Sequence, residues 1–197
     1  MCRNFLSDSL PEGLLEALLD QARRAPSAGN TQAVEFLVVA NPENYWEVTL
    51  TPERRAGFAW PGLLRAPVLV LVLTNPSQYL QRYSEPDKTL AGLGQSLDAW
   101  LVPYWWVDAG MVIQNLLLRA SAEDLGSCFF GVFEQEEAVK AKFNLLGDYR
   151  IVGVVALGYP TKSAEKPGSG FDASRLSSSA KRPRRPLKDV VRYHNGY

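Results

Sequence analysis

The sequence predicts an α+β or layered α/β domain, and two observations support this prediction. Apolar runs typical of strands alternate along the chain with stretches that have the period of a helix. One long predicted helix is apolar nearly all round, so it must be central or lie in a subunit interface, because a surface helix keeps a polar face. Layers of helix and sheet fit both observations better than a helical bundle or a β-sandwich does.

The first helix is predicted over residues 11–25. Pro11 lies in the first turn, where its missing N–H is harmless, and leucines recur along one face of the helix. The helical pattern ends at Pro26, and a turn-forming stretch separates the helix from a predicted strand over 35–40.

The remaining chain continues this alternation around one long stretch without a sustained period. That stretch, 75–103, is predicted as a loop, and a loop of this length inside a compact domain is usually functional. The other elements are predicted in this order: short helices within 41–66, a strand over 68–73, the long apolar helix over 105–125, a strand over 127–132, a charged helix over 134–143 and a buried strand over 149–157.

The chain of 197 residues, 46% of them apolar, is sufficient for one domain with a substantial core. We place this domain at residues 1–160. Residues 161–180 are rich in Ser, Lys, Gly and Ala and are predicted to form an exposed linker. Residues 181–197 are basic but regain apolar side chains, so we expect this segment to pack back on the domain or on a partner subunit.

The composition excludes several classes of function. The 21 basic and 21 acidic side chains balance, so no overall field attracts the molecule to nucleic acid or membrane. Two cysteines and one histidine exclude a disulfide framework, most zinc sites and an ordinary Ser-His-Asp triad. No signal peptide or membrane-spanning run is recognisable, so we expect a cytoplasmic protein. We predict no metal site and no catalytic side chain; in an enzyme of this composition, a cofactor does the chemistry.

The turn between the first helix and the first strand is a candidate binding site. From Pro26 to Gln32 it combines two hydroxyls, two amides and easily approached backbone. Such groups suit the edge of a planar polar heterocycle. An ordinary connecting loop rich in turn formers has the same composition, so both interpretations stay open on the residues alone.

A basic cluster near the carboxyl end is a second candidate. Between Arg175 and Arg192 there are seven basic residues and one acidic residue, and prolines stiffen the arginines into an extended segment. Guanidinium groups match phosphate oxygens in a bidentate geometry. A basic tail that contacts nucleic acid is one interpretation. The apolar residues that follow favour docking on the domain, and hence a small phosphorylated ligand.

The end of the predicted strand 127–132 is a third candidate, because its glycine allows close approach of a ligand to the backbone. Cys128 is interpreted as a small core residue, since no histidine is available to activate it. An aromatic group around Trp100 and Trp105 either floors a pocket for flat substrates or caps the buried helix. The sequence contains no Rossmann GxGxxG motif and no P-loop.

Six segments, taken in order, resemble the nitroreductase family of FMN-dependent oxidoreductases over essentially the whole chain. These segments are Arg3–Phe5, Ala25–Gln32 after the first helix, Asp108–Met111 in the long helix, Leu125–Cys128 with Gly131 beyond it, Val155–Pro160, and Arg185–Leu187 near the end. Each segment alone is a weak signal, but six in the correct order are hard to reach by accident.

The resemblance implies a homodimer of α+β subunits, with a three-layer fold in which helices flank a central mixed sheet. One FMN would lie in each active site at the subunit interface, and the partner would cover the outer side of the long helix. Residues of both chains would surround the flavin. The implied flavin-binding residues are Arg3, Pro26, Ser27, Ala28, Asn30, Gln32, Phe130 and Gly131, with Arg182, Arg184 and Arg185 as a phosphate clamp.

Among these residues, Arg3 matches a basic position near the pyrimidine end of the ring, where positive charge would stabilise the reduced flavin. Family members usually carry another arginine a few residues earlier, and no arginine precedes Arg3 in this sequence. We therefore expect the arginines near the carboxyl end to bind more of the phosphate. Ala33 and Val34 stand where the family commonly has Pro-Trp, which we expect to alter the pocket wall or the nicotinamide preference.

These observations predict an FMN oxidoreductase that uses NADH or NADPH in a ping-pong cycle to reduce a flat acceptor such as a nitroaromatic or a quinone. Tyr83, Tyr104 and Trp105 are predicted to line the substrate pocket. One alternative is a flavoenzyme of the same fold with another reaction, such as dehalogenation, dehydrogenation or flavin fragmentation. The others are a flavin-binding protein without turnover and a basic-tailed nucleic-acid binder. We expect neither nucleic acid nor membrane as a partner.

Overall fold

The computed structural model describes residues 1–161 and 183–194. Its helices are α1 (Leu14–Ala22), α2 (Glu43–Thr49), α3 (Pro52–Ala56), α4 (Pro76–Tyr83), α5 (Tyr104–Ala122) and α6 (Glu136–Lys142). Its strands are β1 (Val34–Val39), β2 (Val68–Thr74), β3 (Gly126–Phe130) and β4 (Arg150–Gly158). Apart from the stretch 75–103, the predicted helices and strands are confirmed, with bounds that differ by a few residues.

The four strands form one sheet in the order β1-β2-β4-β3, and every neighbouring pair is antiparallel. The prediction of a mixed sheet is therefore wrong for the part of the chain that the structure describes. Strands β2 and β3 do run in the same direction, as expected of strands joined through a helix. However, β4 lies between them and runs the opposite way, so the sheet contains no parallel pair among the described strands.

Helices cover both faces of the sheet, which confirms the α+β class and its three layers. Alternate residues of β2 point to opposite faces, as the pleat of a strand requires. Leu69 and Leu71 join a core with Trp46 of α2 and Val139 of α6. Residues Val70 and Val72 on the other face join a second core formed with α1 and α5; its helix members include Leu18 and Leu116.

The long helix α5 is buried on one side only within a single chain. Its inner residues, such as Val112 and Leu116, pack against the sheet and α1. Outward-facing apolar residues remain accessible: Val107 is 43% exposed and Leu118 is 60% exposed. Within residues 1–161 and 183–194, no helix is both long enough and apolar enough to cross a membrane.

The prediction of a loop over 75–103 is wrong at its start, where α4 forms. Asn75 caps this helix by accepting a hydrogen bond from the Ser77 N–H at 3.0 Å, and Pro76 occupies the first turn, where it fits without strain. Eight residues are too few to show a sustained helical period. Beyond α4, the chain folds back so that Trp100 contacts Tyr79 and Tyr83.

The predicted linker 161–180 lies almost wholly outside the described residues, as do 181, 182 and 195–197 of the C-terminal segment. In the described part of that segment, Leu187 is 72% exposed and Val190 is 54% exposed. These two side chains are therefore largely accessible in a single chain, whereas Val191 beside them is half-buried. Packing of the segment on the domain or on a partner subunit stays a prediction.

Replacing Leu116 with alanine tests how much the inner face of α5 contributes to the stability of the protein. Leu116 is fully buried between α5 and the sheet, so Leu116→Ala should lower the free energy of unfolding by about 2–5 kcal/mol through lost burial and the cavity it leaves. Urea unfolding followed by circular dichroism measures this loss. The control Leu90→Ala, at a fully exposed leucine, should change stability by less than about 0.5 kcal/mol. Equal losses for the two variants would contradict this packing.

Candidate functional site

The turn that joins α1 to β1 has an unusual backbone. Gly29, Asn30 and Gln32 have φ angles of 62°, 55° and 55°, in the left-handed region that side chains other than glycine seldom adopt. Strained backbone of this kind is enriched at binding sites, where the surrounding structure holds it in place. This backbone keeps the turn a candidate binding site.

Hydrogen bonds within the turn fix its shape. The Ser27 hydroxyl oxygen accepts a hydrogen bond from the Gln32 N–H at 3.0 Å, and the Thr31 hydroxyl donates to the Ala28 carbonyl at 2.6 Å. The Gln32 side-chain amide donates to Asn30 Oδ1 at 3.1 Å. Two of the predicted flavin contacts, Asn30 and Gln32, are thus held together by their own side chains.

A small cavity of about 190 Å³ lies beside this turn, and we call it the turn cavity. Pro26, Ser27 and Gln32 line it, together with Asp108 and Val112 of α5. Its walls are half polar, in keeping with the groups that the turn offers. The structure thus brings three of the predicted cofactor-binding residues to one place.

A second cavity of about 280 Å³ opens beyond the end of β3, and we call it the aromatic cavity. Trp46, Phe58, Trp60 and Phe130 line it, and the indole of Trp46 stacks on the ring of Phe130 with centroids 5.7 Å apart. Gly131 forms part of the wall without contributing a side chain. A flat apolar ring is the kind of ligand that such a surface accommodates.

Arg3 contacts Trp60, one of the residues that line the aromatic cavity. Its guanidinium carbon is 4.7 Å from the ring centroid of Trp60, close enough for a cation–π interaction. Of the residues predicted as flavin contacts, Phe130 and Gly131 therefore line this cavity, and Arg3 is connected to it through Trp60. Trp60, which connects Arg3 to this cavity, was not predicted, because nothing in the proline-broken segment 41–66 distinguishes it from a core residue.

The two cavities lie on opposite faces of the sheet. The turn cavity is walled by Val34 and Val112, which belong to the core beneath α1 and α5. The aromatic cavity is walled by Trp46 and Leu63, which belong to the core beneath α2 and α6. Within a single chain, the predicted cofactor-binding residues therefore form two separate groups.

Two of the three aromatic residues predicted for a substrate pocket, Tyr83 and Trp105, belong to a cluster that packs against the turn. The ring of Tyr83 lies against Gly29, and Trp105 is 7% exposed and packs against Tyr79 and Trp100. Tyr104, at the start of α5, is 41% exposed. None of these three predicted residues, Tyr83, Tyr104 or Trp105, lines the turn cavity or the aromatic cavity. Their contact with a substrate stays a prediction.

Of the predicted phosphate-binding arginines, Arg184 and Arg185 are described, and neither lines the turn cavity or the aromatic cavity. Arg184 and Arg185 are exposed, and Arg185 donates to the Asp189 carbonyl at 2.6 Å. Arg182 lies outside the described residues. The phosphate clamp predicted from these residues stays a prediction.

Cys128 is a core residue, as predicted from the sequence. It is 3% exposed within β3, and burial raises the pKa of its thiol. A thiol with a raised pKa is a poor nucleophile at neutral pH. The side chain therefore contributes packing between the sheet and its cover.

Comparison with known proteins agrees with the fold. A model of the nitroreductase family matches residues 1–93 and 101–159. An NADH dehydrogenase of Thermus thermophilus is 30% identical over 207 aligned positions, which cover 96% of this chain and 89% of that protein.

Solved structures share the architecture at lower identity. A nitroreductase family protein of Streptococcus pneumoniae has a TM-score of 0.70 at 17% identity, covering 98% of this chain and 94% of its own. An FMN-dependent nitroreductase of Clostridium difficile has a TM-score of 0.61 at 17% identity, covering 100% of this chain and 94% of its own. At these identities the likeness concerns the fold alone.

These findings define the class of the protein as an α+β oxidoreductase. More particularly, the chain belongs to the nitroreductase family, whose model matches most of its length.

Substitution of Gly29 tests how closely the turn is fitted to its support. A Cβ at Gly29 would meet the Tyr83 ring at 2.8 Å, and the φ of 62° would add backbone strain of about 1–2 kcal/mol. Gly29→Ala should therefore destabilise the protein by more than the strain alone, as measured by urea unfolding. Gly13→Ala is a matched control, since Gly13 has a φ of 75° but no atom within 4 Å of its Cβ position. Equal losses of stability in the two variants would contradict the close packing of Tyr83 against Gly29.

Proposed function

We propose that two copies of the chain bind FMN between them, and that the enzyme uses NADH or NADPH to reduce flat, electron-poor acceptors such as nitroaromatics or quinones. The observation that carries this proposal is the separation of the two cavities. One ligand cannot contact both groups of residues within a chain, because the sheet lies between them. A symmetric dimer can bring the turn of one copy to the aromatic cavity of the other.

The outer side of α5 supports such a dimer. Val107 and Leu118 expose apolar surface there, and Leu187 and Val190 expose more in the C-terminal segment. Contiguous exposed apolar surface is typical of protein–protein interfaces. A second copy of the chain would cover these residues and could place the basic C-terminal segment near its partner's site.

The residues present fit FMN. The aromatic cavity has flat apolar walls, and Gly131 leaves part of the wall without a side chain, so there is room for a ring. The turn from Ser27 to Gln32 offers amide and hydroxyl groups for the polar edge of the flavin. Arg184 and Arg185, with Arg182, would supply charge to the phosphate. The C. difficile nitroreductase of the same fold is FMN-dependent, which also supports this cofactor.

When bound, FMN would supply the redox chemistry, accepting hydride from NADH or NADPH and passing electrons to the acceptor. The protein residues bind and orient. The apolar rings around Phe130 would exclude water from a bound ring, and the positive charge of Arg3, which lies against Trp60, would favour negative charge on it. No side chain need act as a nucleophile. The T. thermophilus relative is an NADH dehydrogenase, which supports a nicotinamide donor.

Visible spectroscopy of the purified protein tests this function. The protein should be yellow, with a flavin spectrum, and anaerobic addition of NADH or NADPH should bleach it; a quinone or nitroaromatic should restore the colour. A colourless protein that does not bind added FMN would contradict the cofactor. A bound flavin that neither nicotinamide reduces would contradict the proposed reaction and favour another flavin chemistry on this fold.

The phosphate clamp is tested by a double substitution, Arg182→Ala with Arg184→Ala. Each charge-assisted hydrogen bond contributes about 1.5–3 kcal/mol. The loss of even one such bond to the phosphate should therefore lower FMN affinity at least about tenfold. Flavin fluorescence quenching measures the dissociation constant. The control Lys188→Ala with Arg192→Ala removes two charges from the same segment and should have a much smaller effect. Unchanged flavin affinity in the first pair would exclude the clamp.

A charge on the outer side of α5 tests the dimer. The wild-type protein should sediment with twice the subunit mass of 21.8 kDa. Val107→Asp should shift it to a monomer and reduce flavin retention, because burying an unpaired carboxylate in an interface is costly. Leu90→Asp places the same charge on a fully exposed site away from α5 and should leave the mass unchanged. A wild-type protein that sediments as a monomer would overturn the shared site.

A further inference from the structure

The turn from Pro26 to Gln32 adopts its shape at a cost in free energy. Two side-chain-bearing residues, Asn30 and Gln32, have positive φ, and in Gln32 no short polar side chain eases that conformation. Hydrogen bonds inside the turn link its residues to one another, but they do not fix the turn relative to the rest of the protein. Contacts from outside must do this.

Two side chains from distant parts of the sequence hold the turn in place. Asp108 Oδ2, on α5, accepts a hydrogen bond from the Ala28 N–H at 2.9 Å. Arg82 Nε, on α4, donates to the Gly29 carbonyl at 2.8 Å. Asp108 accepts from the peptide group that precedes Ala28, and Arg82 donates to the peptide group that follows Gly29, so the two anchors fix the backbone on both sides of the Ala28–Gly29 bond.

Asp108 is the buried anchor of the two. It is 1% exposed, and its Oδ2 also accepts a hydrogen bond from the Tyr79 hydroxyl at 2.8 Å. Tyr79 is itself fully buried and contacts the rings of Trp100 and Trp105 edge-on. Burial, reinforced by the bond to Asp108, raises the pKa of Tyr79, so its hydroxyl remains a donor at working pH.

A buried carboxyl group at this position needs an explanation. Apolar residues of similar size usually stabilise a core as well as or better than buried polar pairs do. Packing of α5 on the sheet therefore does not require an aspartate, whereas an acceptor for the Ala28 N–H does. The helix faces the turn at this residue, and Asp108 also lines the turn cavity.

We infer that Asp108 is a positioning residue, which holds the turn in its binding shape before the flavin arrives. The inference rests on the proposed function and deepens it, because it concerns the same site. A turn that is already ordered loses less conformational freedom on binding, and affinity rises accordingly. Asp108 acts through Ala28 and need not touch the cofactor.

The test substitutes Asp108→Asn, which keeps the size of the side chain but replaces the carboxylate oxygen that accepts from both Ala28 and Tyr79 with a neutral amide oxygen, a weaker acceptor. FMN binding to the flavin-stripped full chain is titrated by fluorescence quenching, and amide hydrogen exchange is followed at Ala28. The dissociation constant should rise about tenfold or more, because the two charge-assisted hydrogen bonds to Asp108 become neutral bonds of roughly half the strength. Exchange at Ala28 should become faster while the far-ultraviolet circular dichroism stays that of the wild type.

Two further variants keep the test decisive if Asp108→Asn does not fold. Tyr79→Phe removes only the hydroxyl that donates to Asp108. Arg82→Gln removes the guanidinium group that donates to the Gly29 carbonyl. Each should weaken FMN binding by a smaller factor than Asp108→Asn. The control Asp98→Asn makes the same chemical change at an exposed aspartate and should bind FMN like the wild type.

The outcomes separate this inference from the proposed function. If the wild-type chain binds no FMN, the proposed function fails, and the inference fails with it. If the wild type binds FMN and a folded Asp108→Asn binds equally well, only the inference is overturned. An Ala28 amide that exchanges no faster in the variant, or unchanged affinity in both Tyr79→Phe and Arg82→Gln, would overturn it as well.

Discussion

Burial of strands β2 and β4 on both faces is the constraint on which the rest of the structure depends. Both faces of the sheet are apolar and buried. On β2, one face carries Leu69 and Leu71, and the other carries Val70 and Val72. Each face must therefore be covered, and the chain supplies α1 and α5 for one side and α2 and α6 for the other. This cover divides the apolar interior into two cores, and it separates the two cavities by the thickness of the sheet.

The turn after α1 shows how the same scaffold supports a binding site. Its strained residues contribute little packing of their own, but they lie on a cluster of large aromatic side chains that includes Tyr83 and Trp100. A rigid aromatic base lets a short segment keep an unfavourable backbone conformation, because any relaxation would disturb buried rings. Asp108 adds a directional contact to this otherwise non-directional support.

Much of the fold could be predicted from the sequence, because its elements are long enough to carry a period. The helix after Pro11, the aliphatic strand of β2 and the long α5 were all predicted on local grounds. The order of the strands could not be predicted, since the position of β4 between β2 and β3 depends on pairing between residues far apart in the chain. Helix α4 could not be predicted, because its eight residues span little more than two turns and show no sustained period.

The candidate site was predictable to a similar extent. Resemblance to a family identified the residues of the turn, Arg3 and the end of β3, but not their division between two faces of one sheet. Nor could it show that Asp108 meets Ala28, a contact that spans 80 positions and comes about only through packing. Trp60 gave no local signal, because an aromatic residue next to proline is equally typical of an ordinary core.

The place of β4 has a consequence for biosynthesis. Strand β3 hydrogen-bonds only to β4 among the described strands, and β2 meets β4 along one whole edge. A nascent chain whose last residue precedes Arg150 can therefore pair β1 with β2 but leaves β3 without a neighbour. During synthesis, the sheet therefore cannot be completed before residues 150–158 have been made and can pair with both β2 and β3.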